Sequence, residues 1–252
     1  MPYATNQGIR IHYEIVGAGP PLVLHHGTAA SGIFWSEFGY VGALKGSHTL
    51  VVVDARGHGA SDKPHDPALY DLPSRVGDVT AVLDDCGIGE ADYFGYSLGG
   101  WIGFGIAKYA PTRLRSLIIS AAHPYADSMQ VWRDLFAPDP NLFLGGVEKQ
   151  FGSTLPQPLK AAFSANDFAA LLALTQDRES IADVLEALSV PCLLFCGETD
   201  PRLPPVKKCS EALSGSTFVE LAGCNHATAW ARADLVLPHV QNFLAAERGA
   251  LA

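Results

Sequence analysis

The sequence has few charged residues and no excess of basic ones. Charged residues occupy 17% of the 252 positions, and 26 acidic residues against 17 basic ones give a formal net charge of −9. An acidic surface repels the phosphates of nucleic acids and of anionic membranes. The composition therefore argues against nucleic acid and membrane partners, although the charge at one cavity mouth can differ from the total.

Cysteine is also scarce, and no cysteine belongs to a CxxC pair or to a Cys/His spacing typical of metal sites. The five cysteines are Cys86, Cys192, Cys196, Cys209 and Cys224. We expect them to be buried, unreactive thiols. The sequence accordingly predicts neither a metal ion nor an organic cofactor.

Long apolar runs are missing. No stretch approaches the roughly 18 apolar residues that a membrane helix requires. The first residues lack a basic segment followed by an apolar one, which argues against a signal peptide. We therefore expect a cytoplasmic protein, whose oligomeric state the sequence leaves open.

What the sequence does contain is a series of short, continuous apolar runs separated by helix-like stretches. Such runs are typical of parallel strands that are covered on both faces. After an antiparallel hairpin over residues 3–15, runs occur at 22–24, 49–53, 93–95, 116–120, 191–196 and 217–221. Helical spacing is seen over 76–86, 98–109 and 234–247. This alternation predicts an α/β fold with a mostly parallel sheet.

One region interrupts the alternation. Residues 124–188 show no strand pattern and consist of short amphipathic pieces rich in Phe, Leu and Ala. We predict a helical cap inserted at 124–188, between two strands of a core formed by 1–123 and 189–252. Such a cap would lie over the carboxyl ends of the strands, where open α/β sheets bind ligands.

A Gly-x-Ser-x-Gly segment, Gly95 to Gly99, stands between a predicted strand and a predicted helix. This context is the one that a nucleophilic serine elbow requires, because a sharp turn must project the hydroxyl of Ser97 from the sheet. The chain passes very close to itself at such a turn, so the positions two before and two after must be small. We interpret Ser97 as a nucleophile.

A serine hydroxyl needs a base to accept its proton, and that base needs an orienting acid. His226 follows the last strand pattern in a loop-like stretch, and Asp200 follows the preceding strand pattern. We predict His226 as the base and Asp200 as the acid, with Glu198 as a competing candidate for the acid. The order Ser, acid, His is the one found in α/β-hydrolase triads.

An acyl-transfer site also needs backbone donors for the oxyanion. We predict these donors to be the N–H groups of Leu98, which starts a helix, and of Thr28, which follows Gly27 at the end of an early strand. His25 and His26 are poor candidates for metal ligands, because adjacent residues of a strand point to opposite faces.

The segment from Asp54 to Ser61 is dense in Gly, His, Asp and Arg. No Gly-Lys-Ser/Thr follows it, so a phosphate-binding loop is unsupported. A second catalytic acid is the other functional interpretation. We favour a structural turn in which Asp54 and Arg56 pair and hold nearby loops.

Aromatic residues are candidates for the substrate pocket, because small-molecule sites are mostly apolar with few polar groups. Most aromatic residues of the predicted cap should form its own core. The predicted pocket residues are His26, Trp35, Tyr96, Trp132, Phe136 and Phe143.

Along nearly its whole length the chain resembles the α/β-hydrolase family, in particular its small capped esterases and lactonases. The resemblance is carried by five segments: His26-Gly27, Asp54 to Ser61, Gly95 to Gly100, Gly197 to Pro201 and Gly223 to His226. It implies an eight-stranded, mostly parallel sheet with a helical cap. It also implies the triad Ser97, Asp200 and His226, with an oxyanion hole formed by the amides of Thr28 and Leu98.

The resemblance indicates the mechanism better than the substrate. Haloalkane dehalogenases and epoxide hydrolases of the family use an aspartate at the elbow, so Ser97 argues against both activities. The expected function is a serine hydrolase that cleaves a small-molecule carboxylic ester or lactone. Three alternatives remain open: a carbon–carbon bond hydrolase of the meta-cleavage type, a cofactor-free perhydrolase or haloperoxidase, and a slow-turnover ligand receptor.

Overall fold

The computed structural model describes residues 2–136 and 140–249, and it contains eight strands in these ranges. In chain order the strands are β1 (Tyr3–Asn6), β2 (Ile9–Gly17), β3 (Pro21–His25), β4 (Thr49–Val53), β5 (Ala91–Tyr96), β6 (Leu114–Ser120), β7 (Cys192–Gly197) and β8 (Thr217–Leu221). The inner strands β3 to β7 are almost fully buried, as their continuous apolar runs predicted.

All eight strands belong to one sheet with the order β1-β2-β4-β3-β5-β6-β7-β8. The hairpin strand β2 pairs antiparallel with both β1 and β4, and every later pairing is parallel. The predicted α/β class with a mostly parallel eight-stranded sheet is therefore confirmed. Since parallel strands end at the same edge, the segments after β3, β5, β6, β7 and β8 come together there.

Twelve α-helices are described. They are α1 (Ile33–Glu37), α2 (Tyr40–Leu44), α3 (Leu72–Asp85), α4 (Leu98–Tyr109), α5 (Gln130–Phe136), α6 (Pro140–Phe151), α7 (Gln157–Ser164), α8 (Phe168–Leu174), α9 (Val184–Ala187), α10 (Leu203–Ala212), α11 (Thr228–Ala231) and α12 (Ala233–Gly249). Within the described ranges, none of these helices has the length and apolar character needed to cross a lipid bilayer.

Local sequence signals explain the boundaries of α3 and the close packing of α4 on the sheet. The carboxylate of Asp71 accepts a hydrogen bond from the Ser74 N–H at 2.7 Å and caps α3, which ends just before the positive-φ residue Gly87. The small residue Gly103 lets α4 lie close to the sheet, because a methyl group there would stand 2.9 Å from side-chain atoms of Ile119 and Tyr93.

The segment between β6 and β7 holds helices α5 to α9 in its described part. Its aromatic residues pack on one another, with Phe143 edge-on to Phe163 at 5.7 Å and to Phe168 at 5.6 Å. The segment is tied to the core as well, since the Asn166 side chain donates to the Ala29 carbonyl at 2.7 Å. Its division from the core after residue 123 and before residue 189 stays a prediction.

The segment from Asp54 to Ser61 is a structural turn, but its pairing differs from the expected one. Asp54 pairs with His12 at 2.8 Å, and Arg56 pairs with Asp78 at 2.5 Å, so Asp54 and Arg56 do not pair with each other. Asp54 also accepts the N–H groups of Gly32 at 2.7 Å and Ala60 at 2.9 Å. The partners lie on β2 and α3, far away in sequence, where local spacing gives no signal.

Asp54 should make the fold sensitive to acid. Burial raises its pKa, but the hydrogen bond from His12, the charge of His26 and the two backbone N–H groups outweigh burial and lower the pKa from 3.8 to about 2. A depressed pKa contributes stability above pH ~4, here about 2 kcal/mol, which is lost as the pH falls towards ~2. Urea denaturation should therefore show that Asp54→Asn destabilises the protein at pH 7 and reduces its loss of stability below pH 4.

The control for this prediction is Asp84→Asn, since the Asp84 side chain is 70% exposed and pairs with Arg113 at the surface. Exposed ion pairs contribute about 0 to 1 kcal/mol, so this variant should behave like the wild type. Equal acid sensitivity in Asp54→Asn and the wild type would contradict the role given to Asp54.

Candidate active site

Four predicted functional segments meet at the carboxyl edge of the sheet. Thr28 follows β3, Ser97 follows β5, Asp200 follows β7 and His226 follows β8. These strands are spread along the chain, but β3, β5, β6, β7 and β8 are consecutive in the sheet. The fold thus brings residues separated by up to 198 positions to one place.

The turn at Ser97 is strained in the way that the Gly-x-Ser-x-Gly pattern predicts. Ser97 has φ 51° and ψ −105°, a left-handed conformation that L side chains rarely adopt. A methyl group at Gly95 would clash with the Gly99 carbonyl, and one at Gly99 would clash with the His25 carbonyl. The two glycines therefore permit the close chain passage that turns the serine out of the sheet.

A chain of hydrogen bonds links the three predicted triad residues. The Oγ atom of Ser97 lies 3.1 Å from Nε2 of His226, and Nδ1 of His226 lies 2.7 Å from Oδ2 of Asp200. Asp200 is 3% exposed, and its Oδ1 atom accepts the Arg202 N–H at 2.9 Å. Glu198, the competing acid, is exposed and accepts the Gly223 N–H instead.

The environment of Asp200 favours its ionised form. Burial raises the pKa of this carboxyl group, but the hydrogen bond and charge of His226 together with the Arg202 N–H bring it below its usual value. An ionised carboxylate accepts a hydrogen bond from Nδ1–H of His226, which leaves Nε2 free to accept the proton of Ser97. This is the arrangement that a serine nucleophile needs.

Tyr96 supports the loop that carries His226. Its hydroxyl group donates to the His226 carbonyl at 2.6 Å, and its ring stacks on Trp230 at 4.4 Å. The same loop is tied to the segment between β6 and β7, because the Asn225 side chain donates to the Gln150 carbonyl at 2.7 Å. Two independent hydrogen bonds therefore hold the loop that carries the imidazole.

The Gly27–Thr28 segment packs directly against the serine turn. A methyl group at Gly27 would lie 2.7 Å from the Tyr96 ring and 3.3 Å from Cβ of Ser97. Among the described residues, neither the Thr28 N–H nor the Leu98 N–H donates to a protein acceptor. Two unpaired donors beside a buried serine are what an oxyanion requires.

A large cavity of about 1020 Å³ opens beside these groups. Its lining includes Thr28, Ser97, Asp200 and His226. Aromatic side chains form much of the remaining wall, namely Phe34, Tyr96, Trp132, Phe143, Phe151, Phe163 and Trp230. A cavity of this size and composition suits a small organic molecule.

Comparison with known proteins agrees with this fold. The model of the alpha/beta hydrolase family matches residues 22–238, which is most of the chain. The chain belongs to the α/β-hydrolase family. The fold and membership that the motifs implied are thus confirmed.

Individual relatives of this α/β-hydrolase have low sequence identity to it. A putative carbamate hydrolase, RutD, of Azorhizobium caulinodans is 35% identical over 127 residues, which are 50% of this chain and 46% of that relative. The chain thus spans about half the length of this curated relative. Among solved structures, the esterase RhEst1 from Rhodococcus sp. ECU1013 superposes with a TM-score of 0.84 at 25% identity over 97% of this chain and 98% of that one.

The enol-lactonase from Burkholderia xenovorans LB400 superposes on this α/β-hydrolase with a TM-score of 0.82. The two chains are 23% identical, and the match covers 97% of this chain and 100% of that one. At this identity the likeness shows the common fold.

The α/β-hydrolase brings three of the six predicted pocket residues to the cavity: Tyr96, Trp132 and Phe143. The other three, His26, Trp35 and Phe136, do not line it. Trp35 is fully buried against Phe94 and Trp230 in the core, and Phe136 packs between Trp132 and Phe143. Aromatic side chains occur both in the core and in cavity walls. Residue type alone therefore does not distinguish a core residue from one that lines the cavity.

His25 and His26 have structural contacts. Nδ1 of His25 lies 2.7 Å from the Tyr93 hydroxyl, and Nε2 of His26 accepts the Ala55 N–H at 3.0 Å. Burial lowers the pKa of both imidazoles, so they are neutral at neutral pH. In the described ranges, no group of three or more His, Cys, Asp or Glu side chains is placed to hold a metal ion.

Sequence reasoning missed a polar part of the cavity wall. Two of its residues, His123 and Tyr125, follow β6. The other two are Arg202, which directly precedes α10, and Lys208, which lies within α10. These residues form no motif, and only the fold brings the two segments together.

Proposed function

We propose that this α/β-hydrolase is a serine hydrolase that cleaves a carboxylic ester or lactone through an acyl-enzyme. The observation that carries the proposal is the continuous hydrogen-bond chain from Ser97 through His226 to the buried carboxylate of Asp200. This geometry activates a hydroxyl group for attack on a carbonyl carbon.

In the proposed mechanism, His226 accepts the Ser97 proton through Nε2 as the oxygen attacks the carbonyl carbon. The developing oxyanion accepts hydrogen bonds from the backbone N–H groups of Thr28 and Leu98. His226 then protonates the leaving alcohol, and the acyl group stays on Ser97. Water repeats the same steps and releases the acid, while Asp200 stabilises the imidazolium at each stage.

We also propose that the predicted cap, residues 124–188, forms the roof of the acyl site. Trp132 and Phe143 from this segment line the same cavity as Phe34 and Trp230 from the core. An apolar chain bound among these rings is removed from water, and this transfer contributes about 0.8 kcal/mol to binding for each buried CH₂ group. The site therefore favours esters with an apolar acyl chain over acetate.

Hydrolysis of p-nitrophenyl acetate, butyrate and octanoate by the wild-type protein tests this proposal. We expect turnover of all three, with KM for octanoate at least about tenfold below that for acetate because the longer chain buries more apolar surface. Inactivity on all three esters, combined with turnover of a vinylogous diketone or with peracid formation from acetate and peroxide, would replace the proposal with one of the alternative reactions.

A further inference from the structure

We propose that the ester bound by this cavity carries a carboxylate, and that Lys208 and Arg202 with His123 form the subsite that holds it. The inference rests on the proposed function and narrows its substrate to anionic esters, such as half-esters of dicarboxylic acids. Four observations carry it.

The first observation is an imbalance of charge on the cavity wall. Three basic residues, Lys149, Arg202 and Lys208, and two acidic residues, Asp127 and Asp200, line the cavity. Both acids are already engaged, Asp127 with Arg202 at 3.1 Å and Asp200 with His226 at 2.7 Å. Because the whole chain carries −9, a wall with surplus positive charge is a local feature that favours an anion.

The second observation concerns the position of Lys208. Its Nζ atom lies 4.6 Å from the centroid of the Tyr125 ring, which also lines the cavity. No carboxylate oxygen of the described residues lies within 4.0 Å of this ammonium group. A contact with an aromatic ring orients the ammonium without neutralising it, so the charge stays available to a ligand.

The third observation is the buried Nδ1 atom of His123. The residue lines the cavity, is only 8% exposed, and its Nδ1 atom has no hydrogen-bond partner in the described structure. Burial lowers the pKa of His123, and the charge of Asp127 offsets this effect only in part because the charges of Arg202 and Arg178 act in the same direction as burial. The ring is therefore neutral at neutral pH. A buried polar atom without a partner is costly, and a bound ligand would relieve that cost.

The fourth observation is that the same cavity contains the apolar wall and Ser97. Phe143, Phe163 and Trp132 can cover a methylene chain, while the cationic wall receives its charged end. The combination of one apolar wall, one cationic wall and one nucleophile matches an ester with an apolar chain and a carboxylate.

The first test compares kcat/KM for carboxylate-bearing and neutral esters of equal chain length. The pairs are mono-p-nitrophenyl glutarate with p-nitrophenyl valerate, and mono-p-nitrophenyl adipate with p-nitrophenyl hexanoate. In the wild type the carboxylate ester of at least one pair should be preferred. Lys208→Ala should lower the charged-to-neutral ratio for that pair by about three- to tenfold, with the loss in KM, and raised salt should lower the wild-type ratio.

Lys207→Ala is the matched control. Lys207 is the neighbouring exposed lysine of α10, does not line the cavity, and pairs with Glu220 at 2.5 Å. Lys207→Ala removes the same net charge as Lys208→Ala but does so outside the cavity. Its charged-to-neutral ratio should therefore equal that of the wild type. An unchanged ratio in Lys208→Ala, or equal falls in both lysine variants, would overturn the subsite.

Binding separates this inference from the proposed function. With Ser97→Ala as the host, calorimetry should show that monomethyl adipate binds more tightly than dimethyl adipate, and that Lys208→Ala removes the difference. If the wild type hydrolyses no ester but this discrimination is found, the subsite stands and the ester hydrolase proposal falls. If the two adipates bind equally to Ser97→Ala, with or without Lys208→Ala, the subsite is refuted whatever the enzyme hydrolyses.

Discussion

Replacing Ser97 by alanine should lower kcat/KM for p-nitrophenyl butyrate by about three decades or more. The substitution removes the only atom through which the proposed acyl-enzyme forms, and enzymes of this type keep only the contribution of the oxyanion hole and of binding once the nucleophile is lost. Steady-state kinetics with purified wild type and Ser97→Ala measures the ratio. Since alanine keeps the Cβ atom, the backbone strain at φ 51° is unchanged and thermal stability should stay close to wild type.

Ser120→Ala is the matched control for this prediction. Ser120 is 2% exposed at the end of the adjacent strand β6, and its carbonyl oxygen accepts the Ser97 N–H at 2.8 Å. Its own hydroxyl group has no hydrogen-bond partner among the described residues. The variant should keep its activity within a few-fold of wild type. A Ser97→Ala protein with a tenth or more of the wild-type rate would show that another group attacks the ester.

Replacing Asp200 by asparagine should cost about three to four decades in kcat. The amide cannot stabilise the imidazolium, and its NH₂ group can hold His226 in the tautomer that protonates Nε2, which prevents the histidine from accepting the Ser97 proton. Because Asp200 acts through His226, the loss should appear mainly in kcat while KM changes little.

Glu198→Gln is the companion variant, since Glu198 was the competing acid in the sequence. Its carboxylate is exposed and accepts the Gly223 N–H at 2.8 Å, with no contact to His226 among the described residues. Its activity should stay within about threefold of wild type. A larger loss in Glu198→Gln than in Asp200→Asn would reverse the assignment of the two carboxylates.

Much of the fold could be predicted because its signals are local. The strands at Thr49–Val53 and Thr217–Leu221 and the helix at Leu98–Tyr109 have the bounds that their apolar runs and flanking residues indicated. By contrast, α10 was not predicted. It begins at Leu203 with Pro204 and Pro205, which read as breakers in a sequence but are tolerated in a first helical turn, where N–H groups lack helical partners anyway.

The candidate site was partly predictable for the same reason. Ser97, Asp200 and His226 each follow a strand pattern, and parallel strands end at one edge, so their meeting follows from topology. The pairs Asp54–His12 and Arg56–Asp78 depend instead on how the hairpin and α3 pack, which no short-range pattern encodes. The cationic cavity wall had no signal either, since exposed lysines such as Lys208 usually have no specific role.

In the proposed mechanism Ser97 carries the acyl group during turnover. Acid quenching of the wild-type protein within the first turnovers of p-nitrophenyl acetate, followed by peptide mass spectrometry, tests this directly. We expect an acetyl group on the peptide that contains Ser97, accompanied by a burst of p-nitrophenol, and no acetylation of that peptide in Ser97→Ala. Turnover at the same rate without an acylated serine, or with the acetyl group on another residue, would contradict it.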